Sequence, residues 1–205
     1  MIAVEAPVFA DFSAAAGAQF GIMMESAGNT HSTLYAPGGA ISLFSIEEGS
    51  FIGFFAHFSF LVPAAITNSG DVSLDFYDFL FLGSFTAGPG FKIELGDTFR
   101  LNIGAGINVL GLLSSATITH EFYDEYQYSH TMLNIGAGLV VELSFEKIAP
   151  FYIALGLTFS YDFLNYSESS SPQGTVKGWT TDYALFAPRP YICFGYHFDD
   201  PVGDD

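Results

Sequence analysis

From Phe99 to Leu113 every second residue is apolar or glycine: Phe99, Leu101, Ile103, Ala105, Ile107, Val109, Gly111 and Leu113. The residues between them, Arg100, Asn102, Gly104, Gly106, Asn108, Leu110 and Leu112, are polar or small for most of the run. Side chains alternate across a strand, so the pattern predicts a strand with one greasy face and one polar face. It is far longer than the roughly 5–6 residues of an ordinary globular strand. About 9–11 residues cross the bilayer hydrocarbon obliquely, so the length suits a strand that spans a membrane and continues past it.

Composition narrows the choice further. The 205-residue chain is 50% apolar and 17% aromatic, but only 13% charged, against about 25% charged residues in soluble domains. Its mean hydropathy is +0.36. Yet the most apolar stretch, Phe51–Ile66, contains His57, Ser59 and Pro63 and is shorter than the roughly 20 residues of a membrane-spanning helix. A hydrophobic chain without helical spans is left with the closed barrel, the other structure that satisfies its backbone inside lipid. The net charge of −17, from 22 acids and 5 bases, argues against nucleic acid as a partner and against a polybasic membrane anchor. The lone Cys193 excludes an intramolecular disulfide and reads as a small buried side chain facing inward. The opening Met-Ile-Ala-Val-Glu lacks a basic region followed by an apolar core. Since an outer-membrane barrel must be exported, the numbering is expected to start at the mature chain with an added Met1.

The whole chain, 1–205, reads as one all-β domain. It is predicted to be a transmembrane, eight-stranded, antiparallel up-and-down β-barrel. The strands are expected near 11–25, 39–46, 51–62, 74–95, 99–113, 128–145, 151–163 and 179–198, with an acidic tail at 199–205. The facing of the second is ambiguous, and broken alternation over Phe76–Phe85 predicts a bulge in the fourth. Long connections, at Ser26–Gly38, Ala64–Val72, Ser114–Gln127 and Asn165–Gly178, alternate with short turns. That asymmetry predicts periplasmic turns and termini with extracellular long loops. Aromatics at the strand ends, Phe51, Phe99 and Phe151 below and Tyr161, Trp179 and Tyr183 above, would mark the two interfaces. A soluble barrel also alternates, but it turns its apolar face inward. Here the non-greasy face is Gly, Ala, Asn, Ser and Thr, which fits a crowded lumen.

An eight-stranded barrel is only wide enough for side chains to fill it, and charge buried there must be paired. Lys92, Glu94, Arg100, Glu142 and Arg189 fall on inward positions. Register counted from the turns sets Glu94 opposite Arg100 and Arg100 opposite Glu142, a lateral triad in which one guanidinium serves two carboxylates. It reads first as a plug and second as a gate. Above it, Leu80, Leu82, Leu110 and Leu112 make the upper interior apolar. The segment from His120 to His130 holds His120, Glu121, Asp124 and His130, residue types that ligate zinc. Their spacing matches no established motif, and a solvated acidic loop explains the same residues. No GxSxG, HExxH or phosphate loop is present. The repeated Leu-Asn-Ile-Gly-Ala-Gly at Leu101 and Leu133 lies mid-strand, where its glycines pack the lumen. No enzymatic activity and no cofactor are therefore expected.

The end of the last strand reads Tyr191-Ile-Cys-Phe-Gly-Tyr-His-Phe198, with Ile192, Phe194, Tyr196 and Phe198 facing lipid. It resembles the signal that bacterial outer-membrane proteins present to the outer-membrane insertion machinery. Together with eight strands, it is similar to the small barrels grouped with OmpA, OmpX and OmpW. The acidic run Asp199–Asp205 departs from that pattern, in which Phe is usually terminal. The resemblance implies a monomer in the bacterial outer membrane. An OmpW-like member would bind or passively pass small hydrophobic molecules, with lateral exit to the membrane. An OmpX-like member would act as a surface adhesin or structural barrel through acidic extracellular loops.

Overall fold

The computed structural model describes residues 12–28, 30–46, 50–68, 74, 77–120, 123–148 and 150–198. Its strands are β1 (Phe12–Ala27), β2 (Thr30–Ile46), β3 (Ile52–Leu61), β4 (Ala65–Asn68), β5 (Phe79–Leu95), β6 (Phe99–His120), β7 (Tyr123–Ile148), β8 (Phe151–Ser171), β9 (Gly174–Thr180) and β10 (Tyr183–Phe198). Pairing runs β1-β10-β8-β7-β6-β5-β3-β2, and β1 also pairs with β2, so the sheet closes on itself. β4 continues the position of β3 along β2, and β9 pairs with the upper part of β8. Pro63 interrupts the first of these, where Val62 N donates to Pro37 O (2.9 Å) and Ala64 N to Tyr35 O (2.8 Å). The result is an antiparallel ring of eight strands.

The barrel is inside out relative to a soluble protein. Phe54, Phe60, Leu155, Ile192 and Phe194 are exposed on the outer face, and Ile107 is 65% exposed. Arg189, Glu142, His57, Asn108 and Asn134 are all 0% exposed within. A belt of bare apolar side chains around a polar interior is stable only against acyl chains. On the last strand Ile192, Phe194, Tyr196 and Phe198 are exposed on one face. The second strand's facing is settled as well, with Phe44 and Ile46 buried inside.

Three connections expected to be loops are strand. β1 and β2 pair as far as Ala27 and Thr30, β6 and β7 as far as His120 and Tyr123, and β8 and β9 as far as Ser171 and Gly174. In-out alternation fades where lipid ends, but ladder hydrogen bonds need no apolar face to continue. The expected bulge is also absent among the described residues. β5 pairs with β6 in one register from Phe79 to Ala87, and the interruption falls at Gly88–Pro89. The tail 199–205, the N-terminal residues and Glu47 to Gly49 lie outside the described residues.

Glycines inside the wall make room for rings. A Cβ on Gly156 would lie 2.0 Å from Tyr191 Cζ, and one on Gly104 would lie 2.4 Å from Phe55 Cδ1. Phe44, Phe55, Val140, Tyr152 and Tyr191 thereby fill the lower lumen. Gly156→Ala should overpack this layer and cost about 1–3 kcal/mol, read as a lower denaturant midpoint of the refolded barrel. Ala18→Leu, on the lipid face, should leave that midpoint unchanged.

Candidate functional site

The interior is layered from the lower rim upward. At the rim Arg100 Nε lies 3.9 Å from Glu146 Oε1, while His197 Nε2 is paired with Glu146 Oε2. Ser144 Oγ also donates to Glu146, and the His197 ring stacks on Tyr152 with centroids 4.5 Å apart. Above this, Glu142 accepts hydrogen bonds from Tyr191 Oη (2.9 Å) and Asn102 Nδ2 (3.2 Å). His57 accepts from Gln19 Nε2 (3.2 Å) and tilts against the Tyr191 ring.

Mid-lumen, Arg189 reaches across the barrel. Its Nε donates to Thr158 Oγ1 (3.1 Å), its Nη2 to Asn108 Oδ1 (3.3 Å) and its Nη1 to Ser84 Oγ. Asn108 Nδ2 donates onward to Asp162 Oδ1 (2.7 Å), and Thr86 Oγ1 donates to Asn108 Oδ1 (2.8 Å). One guanidinium therefore ties β10 to β8, β5 and β6. Its fixed fork suits such multiple donation. This layer closes the lumen.

Over the plug opens a cavity of about 190 Å³. Its walls are apolar, formed by Met23, Leu34, Leu82, Leu110, Met132 and Leu185 among others. Leu80 and Leu112, expected in the upper interior, line it too. The polar groups of the lining are Glu25, Ser32, Ser114, His130 and the hydroxyls of Tyr77 and Tyr183. Tyr183 faces this interior, 6% exposed, and so is not part of the upper aromatic girdle expected for it. Glu25 Oε2 accepts a hydrogen bond from Ser32 Oγ (3.3 Å). His130 Nδ1 lies 2.8 Å from Ser169 Oγ.

The ladder between β1 and β10 is interrupted beside the Arg189 layer and up to the edge of the cavity. β1 and β10 pair from Phe12–Phe198 up to Gln19–Tyr191 and again from Met24–Phe186, but not over Phe20–Met23 and Ala187–Pro190. Pro188 and Pro190 carry no N–H, and proline is tolerated in a sheet only where no ladder bond is asked of it. Met23, at the upper end of the break, lines the cavity, and Ala187 packs in the same apolar cluster. The break at Gly88–Pro89 differs: Gly88 presses so close to β6 that a Cβ would lie 2.7 Å from Gly106 Cα.

The expected triad does not form. β6 and β7 pair Arg100 with Ser144 and Asn102 with Glu142, because the tip of the hairpin lies one residue beyond the centre assumed near Glu121. A shift of one in the centre moves the partner by two, to Ser144, and Arg100 reaches the next inward side chain, Glu146. Glu94 does sit opposite Arg100 in the backbone register, but its exposed side chain pairs with Lys92 (3.8 Å) at the lower rim. Arg189 belongs to a separate layer. His130 stands apart from the rest of the expected metal set. His130 lies seven residues down β7 from Tyr123, the partner of His120, at roughly 3.3 Å per residue. Glu121 lies outside the described residues, as do the side chains of His120 and Asp124. Among the described residues no three metal-ligating side chains cluster. Sequence reasoning missed Glu146, taken as a turn residue, and Met23, although both lie on inward parity. It also missed the Asn108–Asp162 link, which only the closed ring brings together.

No protein-family model matches the chain, and no curated protein sequence matches it. Solved structures do. The outer membrane protein OprG from Pseudomonas aeruginosa superposes with TM-score 0.58 at 13% identity, covering 94% of this chain and 98% of that one. A major outer membrane protein from Thermus thermophilus gives 0.57 at 10% identity, covering 90% and 99%. Neisserial surface protein A gives 0.52 at 14% identity, covering 91% and 97%. The chain thus has the fold of the small bacterial outer-membrane β-barrels.

Arg189→Ala should remove the crosspiece of the plug and leave Asp162 and Asn108 to be hydrated. Planar-bilayer recordings should then show discrete conductance steps that the wild type lacks. The same variant should lower the unfolding free energy by about 3–5 kcal/mol.

Proposed function

We propose that this protein is an outer-membrane barrel that binds small apolar molecules from the external medium and releases them sideways into the outer leaflet. The observation that carries this reading is the apolar cavity that lies above a closed plug and meets, at Met23, the upper end of the unpaired stretch of β1 and β10. A molecule in that cavity meets the Arg189 layer below and, at its Met23 edge, the upper end of the proline seam. Straight passage requires dismantling a buried hydrogen-bond network, whereas lateral passage crosses a wall already short of ladder bonds. No step of this path is chemical, and the reading requires no cofactor and no catalysis.

Replacing Pro188 and Pro190 with valine returns two N–H donors to the seam. Cells expressing the wild-type barrel should take up a neutral one-ring aromatic such as toluene faster than cells without it. The P188V/P190V variant should still bind toluene but lose the uptake advantage. Leu110→Trp, which fills the cavity, should lose both. Uptake by P188V/P190V equal to that of the wild type would exclude the lateral route.

One feature supports a second reading, a surface-binding barrel. β9 pairs only with β8 among the described strands and is exposed along its whole length, which leaves a free edge above the barrel. Shortening the β8–β9 hairpin by removing Gly174–Thr180 should abolish adhesion to a host-cell matrix on this reading. On the transport reading it should leave toluene binding intact.

A further inference from the structure

We propose that the preferred occupant of the upper cavity is a small amphiphile with an apolar body and a single primary ammonium group, its ammonium seated at Glu25. This rests on the reading of the cavity as a ligand site and names the class of ligand.

Three observations converge on a cation. Glu25 is the carboxylate of the cavity lining, surrounded by Met23, Leu34 and Leu185 on the walls. It receives a hydrogen bond from Ser32 Oγ on Oε2. No lysine or arginine of the chain answers it. Arg189 is committed to Thr158, Ser84 and Asn108, Lys92 and Arg100 pair at the lower rim, and Lys177 sits opposite Glu168 on the β8–β9 hairpin. Lys147 lies next to the lower end of β7. A carboxylate half withdrawn from water beside leucine and methionine is unfavourable unless it takes up a proton or an opposite charge meets it. A bound ammonium supplies that charge.

The surroundings select against the alternatives. With a net charge of −17, the protein draws cations toward its surface and repels anions. An anionic ligand would face Glu25 directly. A neutral one would fill the apolar walls and leave the carboxylate uncompensated. Tyr77 and Tyr183 add aromatic rings to the lining, and Met23 and Met132 add polarizable sulfur, surroundings that suit an organic cation. Size sets the body. An apolar cavity of about 150 Å³ holds benzene, so about 190 Å³ accommodates one ring with a short chain.

The test compares three ligands of one shape on the intact barrel in lipid nanodiscs, with empty discs subtracted: 2-phenylethylamine, propylbenzene and 3-phenylpropanoate. The amine should bind about ten-fold tighter than propylbenzene, the scale of a charge-assisted hydrogen bond, and the acid weakest. Glu25→Gln should erase the preference for the amine and leave propylbenzene unchanged. An amine no tighter than propylbenzene on the wild type would overturn this inference and leave the apolar cavity reading standing. Binding of none of the three would overturn both. The wild-type comparison needs no variant, so poor folding of Glu25→Gln leaves the result decisive.

Discussion

Inside hydrocarbon there is no water to satisfy a peptide group, so every N–H and C=O of a spanning strand must find its partner in the neighbouring strand. That requirement bends the sheet into a ring and makes β1 pair with both β2 and β10. It also gives meaning to the places where pairing fails. The Pro63 interruption is bridged by two backbone hydrogen bonds, and the Pro89 interruption is pressed shut by Gly88 against Gly106. The stretch opposite Pro188 and Pro190 lacks ladder pairing over four residues a side, and its Met23 end reaches the cavity.

The lumen follows from the same ring. A barrel this narrow must be filled, and the filling separates by chemistry into aromatic, hydrogen-bonded and apolar layers. The guanidinium of Arg189 holds the middle layer by donating to three strands at once. A buried charge of this kind is stable because polar partners surround it, and its removal costs more than its presence contributes. The plug therefore acts as a floor. It turns the upper interior into a pocket with apolar walls.

Much of this was legible from residue order. The outward face was, because lipid demands an apolar side chain at every second position and the chain supplies Phe, Ile and Leu there. Leu80, Leu82, Leu110 and Leu112 were placed in the upper interior on parity alone, and they line the cavity. The strand extensions were not legible, because above the lipid both faces are polar and the period-two signal disappears. The charge pairing failed for a sharper reason. Counting from a long connection places its tip to within a residue, and that uncertainty doubles at the partner. So Arg100 meets Glu146, and Glu142 is held by Tyr191 and Asn102.

The order of residues by itself determined that this chain closes into a lipid-facing barrel with a packed, mostly neutral interior. Alternation is a local property, and the hydrocarbon reads it one strand at a time. Only the tertiary structure decided which interior groups meet, because partners such as Arg189 and Ser84 are separated by 105 positions and join across the lumen. It also decided that the unpaired prolines flank Arg189 at the height of the plug, with the apolar cavity opening at the Met23 end of that stretch. That coincidence depends on tilt and register, which no single strand encodes.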